Sequence, residues 1–96
     1  MIDEFEWDEE KAGQNLLTRG LHFSAATDMD RTTAQVIADD RTDYGDERLT
    51  IRGFIGNRLH ILVYVMRGDK VRIISLRKAN IREQRAYANE TGRDIG

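Results

Sequence analysis

Arg72, Arg77, Lys78, Arg82 and Arg85 crowd the segment RGDKVRIISLRKANIREQRAY, from Arg67 to Tyr87, and Arg48 precedes it at the start of an earlier apolar run. A guanidinium is planar, stays charged, and offers paired N–H groups that match two phosphate oxygens. His60, Glu83 and Tyr87, in the same half of the chain, are candidates for taking or giving a proton. Such groups could hold a phosphodiester, stabilise charge building on it, and move the proton that an attack releases. Lys11 could add a phosphate contact from the amino-terminal half.

Each residue also has a structural reading. His60 is a lone histidine in an apolar strand, where a satisfied core imidazole is the usual outcome. Arg77 can form a surface ion pair with Glu83, and Glu83 suits the third position of a helix, where it caps. Tyr87 lies one turn beyond Glu83 and can pack on a sheet. Arg48 and Arg72 can be sheet-surface cations, Lys11 can belong to a solvated helix face, and Trp7 suits a core anchor better than a base-stacking platform.

Charge is divided unevenly. Residues 1–50 hold five Lys/Arg and thirteen Asp/Glu, a net of −8, whereas residues 51–96 hold ten and four, a net of +6. The overall −2 conceals a basic module suited to an anionic partner, joined to an acidic one that limits indiscriminate binding to polyanions. Ninety-six residues suit one domain, 1–96, with one core. There is no Cys, so disulfides and thiolate metal sites are excluded. His22 and His60 are too few for a histidine metal centre, and with Gly45 as the loop glycine the acidic stretch Asp39–Glu47 fails the calcium-loop pattern at Thr42, Tyr44 and Ile51. No metal and no cofactor are expected. The acidic amino terminus lacks the apolar core of a signal peptide, and Ile61–Met66 is too short to span a bilayer, so a cytoplasmic protein is expected.

The elements that must position these groups can be read along the chain. Phe5 and Trp7 alternate with charges, as in a short strand. Asp8 is an N-cap followed by Glu9 and Glu10, Ala12, Gly13, Leu16 and Leu17 form the apolar stripe of a helix, and Arg19-Gly20 end it. A second helix is expected over Phe23–Met29. Strands follow at Ala34–Ala38, Arg48–Ile55, Arg58–Met66 and Lys70–Lys78, with Asp39–Glu47 as a loop and Gly56-Asn57 and Gly68-Asp69 as two-residue turns. Asn80 and Glu83 open a last helix to about Glu90, with few apolar residues on it. The order β-α-α-β-β-β-β-α describes an α+β domain with a small, largely antiparallel sheet. A bulge-free second hairpin pairs Arg67 with Lys70, Tyr64 with Ile73, Leu62 with Ser75 and His60 with Arg77. The first hairpin sets Gly53 opposite His60 and leaves room there for a close approach.

FEWDEEKAGQN at Phe5–Asn15, Glu47-Arg48 before a strand, and VRIISLRKANIREQRAY at Val71–Tyr87 together resemble the BrnT family of type II toxins over Phe5–Tyr87. Phe5, Trp7, Asp8, Lys11, Asn15, Gly20 and Phe23 match its opening motif. Arg48, Gly53, Arg72, Ser75, Arg77, Ala79, Glu83 and Tyr87 match the later ones. The chain has Thr18-Arg19-Gly20 where the family commonly has Lys-His-Gly, so a histidine is missing there. Leu76 replaces a commonly small residue, and His22 stands where a Ser-like cap is common.

The resemblance implies a RelE-like fold with two amino-terminal helices and one carboxy-terminal helix, and a ribonuclease that arrests growth. It also implies a BrnA-type ribbon-helix-helix antitoxin through which operator DNA is bound. RNA can be cut without metal when its own 2′-hydroxyl attacks the neighbouring phosphate. Arg77, Arg48 and Arg72 are then expected to bind and stabilise the phosphate, and His60, Glu83 and Tyr87 to handle protons. Lys11, Lys78, Arg82 and Arg85 are expected to contact RNA. The alternatives are a non-catalytic module acting with its antitoxin as an operon co-repressor, or nucleic-acid binding alone.

Overall fold

The computed structural model describes residues 4–41 and 47–92. Strand β1 (Glu4–Glu6) leads into helix α1 (Glu9–Arg19), a 3-10 helix (Phe23–Asp28), strands β2 (Gln35–Arg41), β3 (Glu47–Ile55), β4 (Arg58–Arg67) and β5 (Lys70–Lys78), and helix α2 (Ile81–Thr91). The five strands form one sheet in the order β1-β5-β4-β3-β2. The meander β2 to β5 is antiparallel, as expected, but β1 pairs parallel to β5, with Phe5 beside Val71. Only the first of the two expected amino-terminal helices is α-helical.

Both tight hairpins form where Gly-Asn and Gly-Asp stand. Ile55 pairs with Arg58 and Arg67 with Lys70, and Gly56 and Gly68 take φ of 64° and 63° at the first central position. A side chain there would be strained, and this geometry matches the twist of the flanking strands.

One face of the sheet carries the main core. Ala12, Phe23, Ala26 and Met29 from α1 and the 3-10 helix pack on Leu62, Ile73 and Leu76, with Phe5, Trp7, Ile51 and Tyr64 around them. Asp8 caps α1 by accepting from the N–H groups of Glu10 and Lys11 at 2.9 and 3.2 Å. The expected leucine stripe of α1 is not its buried face. Leu16 and Leu17 are 48% and 81% exposed, while Ala12 and Asn15 are buried. Asn15 Nδ2 donates to the carbonyls of Leu21 and Leu76 at 2.7 and 2.9 Å. Those acceptors lie away from water, so an amide here satisfies backbone groups that a leucine would leave bare.

His22 caps the 3-10 helix after all, its Nδ1 accepting from Ser24 N at 3.1 Å. The acidic stretch after Ala38 also departs from expectation, because β2 continues through Asp39 and Asp40 to Arg41. Residues 42–46 of the expected loop lie outside the described residues.

Helix α2 covers one end of the opposite face. Tyr87, its one buried side chain, packs with Leu59, Ile61, Ala79 and Phe54, its ring edge-on to Phe54 at 5.4 Å. Asn80 and Glu83 form the expected capping box. Ile81 is 61% exposed, so α2 docks on essentially one aromatic ring, whose burial contributes about 2–3 kcal/mol.

Candidate functional site

Side chains alternate between sheet faces, and the register assigns each strand residue to one of them. The core-facing row of β3 and β4 contains Leu49, Ile51 and Gly53 opposite Tyr64, Leu62 and His60. The other row contains Arg48, Thr50, Arg52 and Phe54 opposite Val65, Val63, Ile61 and Leu59. On β5, Arg72 pairs with Val65, Ser75 with Val63 and Arg77 with Ile61. Arg48, Arg52, Arg72 and Arg77 therefore share the face away from α1.

They form two rows that cross the strands. Arg48 and Arg72 flank Val65, and Arg52 and Arg77 flank Ile61. Members of a row stand two strands apart, roughly 9.5 Å, and the rows are four residues apart along the strands, roughly 13 Å. Thr50, Val63 and Ser75 form the floor between them.

A bulge in β5 makes this possible. The register shifts between Val63 and Tyr64, so Ile74 is the additional residue and the pairing changes from Tyr64–Ile73 to Val63–Ser75. This overturns the expected pairs Leu62–Ser75 and His60–Arg77. Leu62 faces Leu76, and His60 faces Lys78. The glycine turn itself is regular, and the extra residue sits within the strand. Imidazole and guanidinium consequently leave opposite faces of the sheet, while the expected Gly53–His60 pair forms.

His60 is buried beneath the core face. Its Nδ1–H donates to the Arg58 carbonyl at 2.8 Å, and burial, foremost, moves its pKa below the usual 6.5. The space beside Gly53 is filled by this protein's own Met29, whose Sδ lies 2.8 Å from where a Cβ would stand.

On the open face, Arg77 and Glu83 form a two-armed pair. Nη1 donates to Oε1 and Nη2 to Oε2, each at 2.7 Å. That hydrogen bonding chiefly raises the arginine pKa and pulls the Glu83 carboxyl from 4.5 down to about 2. Such a carboxylate is a weak base near neutral pH. Tyr87 is fully buried, and its hydroxyl donates to Thr33 O at 3.0 Å.

Arg72 Nη1 donates to Glu6 Oε2 at 2.8 Å, across the β1–β5 pair. Arg48 is exposed and has no ion pair with any described residue. Arg52, which the sequence reading passed over, is 5% exposed. It donates from Nε to Gln35 Oε1 at 2.8 Å and from Nη2 to Glu90, and its guanidinium lies 5.7 Å from the centre of the Tyr87 ring. Its signal was present in the sequence, because Arg48, Thr50 and Arg52 alternate with Leu49, Ile51 and Gly53.

The remaining predicted cations do not join this cluster. Lys78 lies on the His60 side of β5, Lys11 is exposed on α1 behind the sheet, and Arg82 and Arg85 are exposed on α2 off the Glu83–Tyr87–Glu90 line. A cavity of about 220 Å³ opens on the core face between Phe5, Met29, Val36, Ile51 and Leu62, and none of the predicted site residues lines it. No helix among the described residues is long and apolar enough to cross a membrane.

The structure thus presents a small mixed sheet with an arginine-lined open face. The family model for the ribonuclease toxin BrnT of type II toxin-antitoxin systems matches residues 7–83. The chain belongs to this family, which brings with it an antitoxin partner and an RNA substrate. Among curated proteins, none matches the chain.

Proposed function

We propose that this protein is a metal-independent endoribonuclease of RelE-like fold, formed by a single domain over 1–96 and acting in the cytoplasm. It cuts RNA by attack of the 2′-hydroxyl on the adjacent phosphate and so arrests growth. A BrnA-type ribbon-helix-helix antitoxin neutralises it and carries the pair to operator DNA. The observation that carries the reading is the gathering of four guanidinium groups on one face of the sheet in a chain of net charge −2.

Arg48 is open to bind a phosphate, and Arg72 faces it across Val65. Arg77 adds charge stabilisation from the second row. Thr50 and Ser75 on the floor between the rows offer hydroxyls to phosphate or ribose. Glu83 becomes a usable proton acceptor only when Arg77 turns from it to a phosphate, which returns its pKa toward the ordinary carboxylate range. Lys11, Lys78, Arg82 and Arg85 serve longer-range attraction rather than contact at this face. His60 and Tyr87 serve the fold, through the Arg58 and Thr33 carbonyls that they engage.

The test is incubation of purified protein with a single-stranded RNA, followed by end-group analysis. Fragments with 2′,3′-cyclic phosphate ends, lost in a folded Arg48→Ala/Arg72→Ala variant, support the proposal. Intact RNA bound with salt-dependent affinity would instead favour binding alone.

A further inference from the structure

Glu83, Tyr87 and Glu90 fall at i, i+4 and i+7 of α2, a single stripe that faces the sheet. Glu83 and Glu90 are two turns apart, about 10.5 Å along the helix axis. Arg77 and Arg52 are two strands apart, roughly 9.5 Å across the sheet. The two spacings match, and the contacts follow. Glu83 takes the fork of Arg77, Glu90 takes Nη2 of Arg52, and Tyr87 sits between them with the Arg52 guanidinium beside its ring. A carboxylate and a phosphate fit the same two-pronged donor.

We infer that Arg52 and Arg77 form a second backbone-binding row for single-stranded RNA, and that in this state the Glu83 and Glu90 carboxylates of α2 occupy it in place of two phosphates. The inference rests on the RNA reading above and deepens it. The first row, Arg48 and Arg72, is reached without moving α2, whereas the second opens only when α2 lifts. Lifting is within reach because the helix is anchored by one buried ring, the bond from that ring's hydroxyl to Thr33 O and these two ion pairs, and the Glu90 side chain is 61% exposed. RNA seated on the first row would extend onto the second and exchange each carboxylate for a phosphate.

The test uses an RNA oligonucleotide methylated at every 2′-oxygen, which cannot be cut by 2′-hydroxyl attack, and follows its binding by anisotropy across a salt series. The variant is Glu83→Gln/Glu90→Gln, because a glutamine at the third helical position preserves the capping box while removing the competing charge. A Glu9→Gln/Glu10→Gln variant on α1 controls for the loss of two negative charges. The expected result is binding by the α2 variant at least about tenfold tighter than wild type across the series, because no charged hydrogen bond to a carboxylate has to be given up before the second row takes phosphates. The α1 control should stay close to wild type.

Wild-type protein supplies a second measurement that needs no substitution. Amide exchange in α2 should quicken when the oligonucleotide binds. Equal affinities in the two variants, or α2 exchange unchanged or slowed by RNA, would overturn the inference while leaving RNA binding intact. Failure of wild type and variants alike to bind would overturn the RNA reading and the inference with it.

Discussion

Both carboxylate oxygens of Glu83 accept an N–H from Arg77 at 2.7 Å, and one of them also accepts the backbone N–H of Asn80 at 2.9 Å. One side chain therefore finishes the end of α2 and neutralises an arginine of the open face. The two readings drawn from the sequence, a capping residue and a partner of Arg77, are both true of it.

This arrangement sets an acid limit. The Glu83 pKa falls from 4.5 to about 2 on folding, principally through its hydrogen bonds to Arg77. A carboxyl with a depressed folded-state pKa adds stability above its unfolded value and loses it as pH falls toward the folded one. Between pH 4.5 and 2, the melting temperature of wild type should drop more steeply than that of Glu83→Gln, as followed by circular dichroism.

A second titration acts at higher pH. Burial keeps His60 neutral, with its folded pKa below 6.5, so the unfolded chain takes up the proton more readily. Its stabilising contribution is complete above 6.5 and declines as pH falls from there to the folded value. His60→Asn retains a donor for the Arg58 carbonyl and removes the titration. Its melting temperature should change less than that of wild type between pH 6.5 and 5.

Replacing Arg77 by Lys keeps the charge and removes the fork. Loss of one charged hydrogen bond costs about 1.5 kcal/mol or more, roughly a tenfold fall in rate. RNA cleavage by Arg77→Lys, compared as kcat/KM, should fall by at least that factor. A near-normal value would remove Arg77 from the phosphate site.

Chelation gives a separate check on the reaction. Cleavage by 2′-hydroxyl attack on arginine-bound phosphate should proceed unchanged in excess EDTA. Activity lost in chelator and restored by a divalent ion would overturn that mechanism.

Gly53 supports the core face rather than a ligand. An added Cβ would stand 2.8 Å from Met29 Sδ, 2.9 Å from its Cγ and 3.1 Å from Ala34 Cβ. Gly53→Ala should destabilise by about 1–3 kcal/mol through overpacking, measured by urea denaturation, while leaving the open-face arginines in place.

Much of the architecture was legible because local chemistry dictated it. Gly56-Asn57 and Gly68-Asp69 fixed both hairpins, Asp8 and the Asn80–Glu83 box fixed two helix starts, and the first hairpin's count of residues fixed Gly53 against His60. The site was less legible, for three physical reasons. Ile74 carries no glycine or proline signature of a bulge, so the count that placed His60 beside Arg77 failed within the strand. Asn15 is polar and buried because of carbonyls contributed by Leu21 and Leu76, and the latter lies far along the chain. The pairing of Arg52 with Glu90 depends on how α2 crosses the sheet, which no local pattern expresses.

The irregularity at Ile74 carries a further consequence. Arg72 and Arg77 are an odd number of positions apart, and a regular strand would send them to opposite sides. A copying error that dropped the one residue between Ile73 and Ser75 would leave the two arginines four positions apart, which a regular strand places on one side, so Leu76 would stay opposite Leu62 and Arg77 opposite Ile61. The strand thus carries a spare residue whose loss the arginine face of this toxin can absorb, whereas a one-residue loss from a regular strand turns everything beyond it over.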